Sequence, residues 1–220
     1  MYLERVRDGE EGSSAMLDIT PIVYVVDDDI SVREALEALI REAGWLPSVF
    51  PSAREFLSHP HTSGPSCLIL DVTLPDLNGL DLQQQVADKR TDMPIIFITG
   101  YGDVPMTVRA MKAGAIEFLT KPFGDEVILK AIRGALERSA TALGTAAEMQ
   151  TLQDRYASLS GREREVMALV VCGLMNKQVG GQLGISEITV KAHRGRMMRK
   201  MKAGSLADLV NIAAKLGIPR

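Results

Sequence analysis

Six side chains able to do phosphate chemistry stand at the ends of short apolar runs. Asp27, Asp28 and Asp29 follow Ile22–Val26, and Asp71 follows Cys67–Leu70. Thr99 closes Ile95–Thr99, and Lys121 lies just past Glu117–Leu119. Carboxylates gathered at close range repel one another unless a cation intervenes, and an all-oxygen donor set suits Mg²⁺. A threonine hydroxyl and a lysine ammonium beside such a cluster can hold the oxygens of a phosphoryl group. The set is therefore suited to accepting phosphate on a carboxylate, with Asp71 as the nucleophile. Taken singly, each aspartate could equally cap a helix or solvate a strand end, and Asp29, directly before a helical stretch, is read as a cap. Tyr101, in the loop after Thr99, is a mobile aromatic able to gate the pocket.

These residues converge only if the elements around them form one sheet. The apolar runs Ile22–Val26, Leu46–Phe50, Cys67–Leu70, Ile95–Thr99 and Glu117–Leu119 read as strands. Between them lie Ser31–Glu42, Ser52–Ser58, Leu80–Lys89 and Val104–Lys112, with a helical period, and another helix starts near Asp125. Such alternation predicts a doubly wound, five-stranded parallel sheet, an α/β fold. In the order 2-1-3-4-5 the first and third strands are neighbours, so their acids meet beyond the carboxyl ends, where open sheets bind ligands.

A second kind of chemistry sits at the other end of the chain. The net charge of −3 hides an asymmetry: residues 158–220 hold eleven Lys/Arg against four Asp/Glu, and the remainder fourteen against twenty-four. The basic segment shows no strand pattern. Four helices fit it, over Gly161–Cys172, Asn176–Leu183, Glu187–Met201 and Ser205–Leu216. Gly184 ends the second and Ser186 caps the third, a helix–turn–helix. On that third helix Val190, Met197 and Met201 share one face. Lys191, Ala192, Gly195, Arg196 and Arg199 share the other, where small residues let the helix approach a groove floor and long basic chains reach phosphates or base edges. A solvated basic face is the alternative.

With 46% hydrophobic and 24% charged residues, the composition argues against disorder and fibre. No apolar run nears the roughly 18 residues needed to cross a bilayer, so no membrane association is expected. The N-terminal stretch lacks the apolar core of a secretory signal. Cys67 and Cys172 have no metal-ligand spacing, and a reducing cytoplasm is the expected compartment.

The runs VVDDD (25–29), LILDVTLPDLNG (68–79) and FITGYGDVPMTVRAMKAGAIEFLTKPF (97–123) resemble the receiver domain of two-component response regulators of the FixJ/NarL type. The resemblance implies a flavodoxin-like fold, with Asp71 as phosphoacceptor and Thr99 and Lys121 as switch hydroxyl and phosphoryl-binding amine. It implies Mg²⁺ held by Asp28, Asp71 and the Thr73 carbonyl, with Asp27 acting largely through water. It also places Phe118 at the switch aromatic position, where core packing accounts for it equally well, and makes the Lys121–Pro122 bond cis. The segments LSGREREV (159–166) and ISEITVKAH (185–193) resemble the LuxR-type DNA-binding domain, whose recognition helix would be Glu187–Lys202, with Thr189 and Lys191 at the backbone or base edges.

Together these readings give a tail over 1–20, a receiver over 21–138, a partly helical linker over 139–157 and an all-α DNA-binding domain over 158–220. The implied partners are a sensor histidine kinase, double-stranded DNA, RNA polymerase and, on phosphorylation, a second copy of the chain. The protein is not expected to be a conventional enzyme. An aspartate-nucleophile phosphatase would want a second acid two residues after the nucleophile, where Thr73 stands. A basic domain that binds protein rather than DNA is the third reading.

Overall fold

A computed structural model describes residues 20–60, 63–87 and 90–219. The tail expected over 1–20 lies almost wholly outside the described residues, as does the end of the helix expected to reach Lys89.

The chain divides into two compact units, one reaching Leu143 and the other starting at Gly144. The first is a five-stranded parallel sheet in the order β2-β1-β3-β4-β5. The strands are β1 (Ile22–Val26), β2 (Leu46–Phe50), β3 (Ser66–Asp71), β4 (Ile95–Thr99) and β5 (Glu117–Thr120). The intervening helices are α1 (Ile30–Glu42), α2 (Ala53–Ser58), α3 (Gly79–Ala87) and α4 (Val104–Lys112). Strands β1, β3 and β4 are buried along their whole length, as their continuous apolar runs require in a sheet covered on both faces. The Pro47-bearing strand β2 is at the edge, where a missing N–H costs least.

Alternate residues feed two cores. Tyr24, Val26, Leu68, Leu70 and Phe97 face Phe56 of α2 and Leu82 of α3. Val23, Val25, Ile69, Ile96 and Ile98 face Ile40 of α1 and Ile128 and Ile132 of α5 (Asp125–Ala157). The buried Ser139 hydroxyl of α5 accepts a hydrogen bond from the Ser66 amide at 3.0 Å, tying that helix to the start of β3.

Residues 139–157 are helical throughout, within α5, rather than partly so. The apolar period fades there because alanine and threonine replace leucine. Alanine, however, has the highest helix propensity, so the helix continues without a wide apolar stripe. Within the second unit, Leu152 is buried and Tyr156 packs on the core.

That core is built by α6 (Gly161–Val171), α7 (Asn176–Leu183), α8 (Glu187–Met201) and α9 (Leu206–Lys215), around Val166, Met167, Val190, Met197, Met201 and Leu209. A reciprocal capping box between Ser160 and Glu163 starts α6. Gly184, at φ 67°, ends α7, and the Ser186 hydroxyl accepts the Thr189 amide to start α8.

Candidate functional site

Register fixes the first site. Val26 pairs with Leu70, so Asp27 and Asp71 emerge side by side from adjacent strands. Carboxylate oxygens of Asp27, Asp28 and Asp71 lie within 4.8 Å of one another; Asp27 and Asp71 are buried and Asp28 is exposed. Three hard oxygen donors in mutual reach fit a hard divalent cation. The Lys121 ammonium reaches across the sheet to Asp27 Oδ2 at 2.6 Å and Asp71 Oδ2 at 2.7 Å. The Lys121–Pro122 peptide is cis, and the Lys121 amide donates to the Thr99 carbonyl at 2.8 Å.

The other carboxylate oxygens are held locally. Asp71 Oδ1 accepts the Thr73 amide and Asp27 Oδ1 the Asp29 amide, each at 2.9 Å. The Arg33 guanidinium donates to the Asp27 carbonyl at 2.7 Å, securing the β1–α1 turn. Asp29 caps α1 by accepting the Ser31 amide. Burial raises the Asp27 carboxyl above the ordinary aspartate range, against the pull of Lys121 and of the Asp29 amide. Burial works to lower the Lys121 ammonium, but hydrogen bonds to Asp27 and Asp71 outweigh it and hold the group above an ordinary lysine.

The remaining residues expected at this site lie at the end of β4, in the loop that follows it and in β5. Thr99 is fully buried, and its hydroxyl oxygen accepts the Tyr101 amide at 3.2 Å. Tyr101 is 89% exposed. Phe118 is half-buried, its ring centroid 6.0 Å from that of Phe97. At Gly102 a Cβ would lie 3.0 Å from Phe118 Cε1 and 3.3 Å from Thr99 Cγ2, so this loop rests on both switch candidates. Gly79 allows a closer approach: a Cβ there would collide with the Asp71 carbonyl oxygen and sit 2.9 Å from Val72 Cα. The start of α3 thus lies directly against the backbone at the end of β3.

On α8, Val190, Met197 and Met201 are fully buried, whereas Thr189, Lys191, Ala192, Gly195, Arg196 and Arg199 lie away from that core. Lys191 pairs with Glu187 at 3.1 Å, and the Thr189 hydroxyl is 2.8 Å from that of Ser186. Gly180 of α7 meets the turn closely, since a Cβ there would lie 2.8 Å from the Ile185 carbonyl oxygen; Gly181 faces open space.

Comparison with known proteins assigns both halves. Residues 23–133 match the response regulator receiver domain, and residues 157–213 match the bacterial regulatory proteins of the luxR family. The chain belongs to the response regulators. The regulator is 49% identical to Nodulation protein W of Bradyrhizobium diazoefficiens over 94% of its own length and 92% of that protein's. It is 41% identical to the transcriptional regulatory protein FixJ of Rhizobium meliloti, over 90% and 96%. Among solved structures it is similar to the response regulator StyR, at 47% identity and a TM-score of 0.82, covering 89% of the regulator and 99% of StyR. It is thus a two-component transcriptional regulator with a phospho-accepting receiver and a LuxR-type DNA-binding domain, not a conventional enzyme. The Asp27–Asp28–Asp71 cluster is typical of the receiver metal site. No described helix is long and apolar enough to cross a membrane.

Two features escaped sequence reasoning. Asp76 accepts the Arg54 amide at 2.9 Å and the Ala53 amide at 3.3 Å, bracing the β3–α3 loop on the start of α2. Its only sequence signal is an aspartate in a Pro-Asp turn. Lys200, one of the basic residues of α8, turns inward to Glu163 at 2.7 Å. The Ser-x-x-Glu capping box signals Glu163 but not its lysine.

Proposed function

We propose that a sensor histidine kinase transfers a phosphoryl group to Asp71 and that the transfer controls DNA binding by the basic domain. In that step a carboxylate oxygen of Asp71 forms the new P–O bond while the P–N bond of the kinase phosphohistidine breaks. The Lys121 ammonium, held protonated by its two carboxylate partners, is free to exchange Asp71 Oδ2 for a phosphoryl oxygen. Mg²⁺ is the ion favoured by the all-oxygen donor set, and Asp27, Asp28, Asp71 and the Thr73 carbonyl are the groups that would hold it; it would neutralise charge on the phosphoryl oxygens. The Thr99 hydroxyl, turning to donate to the phosphoryl group, gives up the Tyr101 amide and so releases the loop resting on Phe118. The altered surface of α4, β5 and α5 then favours pairing of two copies, and the paired basic domains bind duplex DNA through Thr189, Lys191, Ala192, Gly195, Arg196 and Arg199. Recruitment of RNA polymerase, in the cytoplasm, completes the reading.

The observation that carries it is the Lys121 ammonium shared by Asp27 and Asp71 with Asp28 in reach, in one chain with a basic recognition helix. The test is binding of the full chain to a random duplex across a salt series, with and without acetyl phosphate and Mg²⁺. The proposal expects log affinity to fall linearly with log salt, as phosphate contacts demand, and affinity to rise with the phosphodonor. Binding that ignores both salt and phosphodonor would overturn it.

A further inference from the structure

The face of α8 opposite the core is not a row of polar base readers. At about 100° per residue, Ile188, Ala192, Gly195 and Arg199 fall within an arc of roughly 60°, directly opposite the buried Val190, Met197 and Met201. Ile188 is 80% exposed, in the first turn of the helix. An isoleucine this exposed has no packing role in the unit, and among the described residues Gly195 has open space where a Cβ would be.

The polar groups beside this stripe are turned to other uses or to its flanks. The Thr189 hydroxyl is engaged with that of Ser186 in the helix cap. Lys191 pairs with Glu187 on one side of the stripe, and Arg196 lies on the other. Two cations flanking a central stripe suit the two phosphate walls of a groove, and recognition helices present their N-terminal residues to base edges. The first two turns of the stripe therefore offer the groove floor a methyl-rich isoleucine, an alanine and a glycine. The major groove displays one apolar group, the C5-methyl of thymine.

We propose that Ile188 is a specificity-determining residue that reads a thymine methyl group in the operator. This rests on the DNA-binding reading above. Wherever α8 docks, recognition by its leading turn would be apolar: it would depend on a methyl group and not on a hydrogen bond to a base.

The test uses the full-length chain with acetyl phosphate and Mg²⁺. A preferred duplex is selected from a randomised pool, and each thymine is then replaced in turn by deoxyuridine, which removes only the methyl. The wild-type chain should lose roughly three- to fivefold in affinity at one thymine per half-site, the value of one buried methyl. Ile188→Ala should show no further loss at that thymine, and Ile188→Val should keep most of the wild-type sensitivity. Because thymine and deoxyuridine probes are compared on the same protein, the ratio is independent of how much of a variant is folded. Specific binding that ignores every thymine methyl, or an undiminished deoxyuridine penalty in Ile188→Ala, overturns the assignment to Ile188 and leaves DNA binding standing. If no duplex binds at all, the DNA-binding reading fails, and this assignment fails with it.

Discussion

Glu163 joins the first turn of α6 to α8, and its replacement should separate two roles. Glu163 is 3% exposed, and its Oε2 accepts the Ser160 amide at 2.9 Å and the Lys200 ammonium at 2.7 Å. Lys200 also donates to the Ser158 carbonyl at 3.0 Å. Glu163→Gln keeps an acceptor for the Ser160 amide but removes the charge facing Lys200. Because the Lys200 side chain is 40% exposed, water takes over part of the lost interaction, and the cost should be about 1 kcal/mol. Glu163→Ala also breaks the capping box, adding about 1 kcal/mol. For a unit of this size each kcal/mol lowers melting by roughly 4–8 °C. The sign with pH follows from the carboxyl itself, which the Lys200 ammonium holds below the ordinary glutamate range. Its contribution is present above the ordinary glutamate value and is lost as pH falls through the depressed one. Thermal unfolding of the helical unit, followed at neutral pH and in an acid series, should rank wild type above Gln above Ala. The gap between wild type and Gln should close in acid. Equal melting of wild type and Gln at neutral pH, or a gap that survives acidification, would refute the role given to this pair.

Four further variants have expected outcomes. Asp28→Ala should weaken Mg²⁺ binding, measured by titration of the pocket, because the remaining carboxylates must hold a hard cation without it; an unchanged midpoint would place the ion elsewhere. Met197→Ala should cost about 2–5 kcal/mol in folding through a cavity in a fully buried position, whereas the exposed Lys191→Ala should leave melting nearly unchanged and reduce the salt slope of DNA binding by about one. Gly79→Ala should destabilise the first unit by about 1–3 kcal/mol and slow phosphorylation, since its Cβ must push α3 away from the Asp71–Val72 backbone; unaltered melting and rate would show that the backbone yields freely.

The centre of the sheet was legible because β1, β3 and β4 are buried on both faces. Uninterrupted runs such as Val23–Val26 and Ile95–Ile98 mark them without ambiguity, and the polar residues that end those runs become the pocket once the strand order is known. The helix–turn–helix was legible for a similar reason: Gly184 and Ser186 punctuate it, and Val190, Met197 and Met201 keep its period. The extent of α5 was not, because Ala142, Ala146, Ala147 and their neighbours sustain a helix by propensity while giving no apolar stripe to read. Asp76 and Lys200 were illegible for a different reason. Their partners lie 22 and 37 residues away in sequence, and no local spacing encodes a bond that only the tertiary fold creates. Ile188 falls between these cases: its position on the helix could be counted, but its exposure depends on which face of α8 meets the core.

The central claim is that Asp71 is the residue that carries the phosphoryl group. Incubation of the full chain with acetyl phosphate and Mg²⁺, followed by intact-mass measurement and peptide mapping, tests it most directly. One phosphoryl group should appear on the peptide that contains Asp71, and Asp71→Asn should acquire none while melting like the wild type. Labelling of Asp71→Asn at the wild-type rate, or a phosphoryl group mapped to another residue of the wild-type chain, would contradict it.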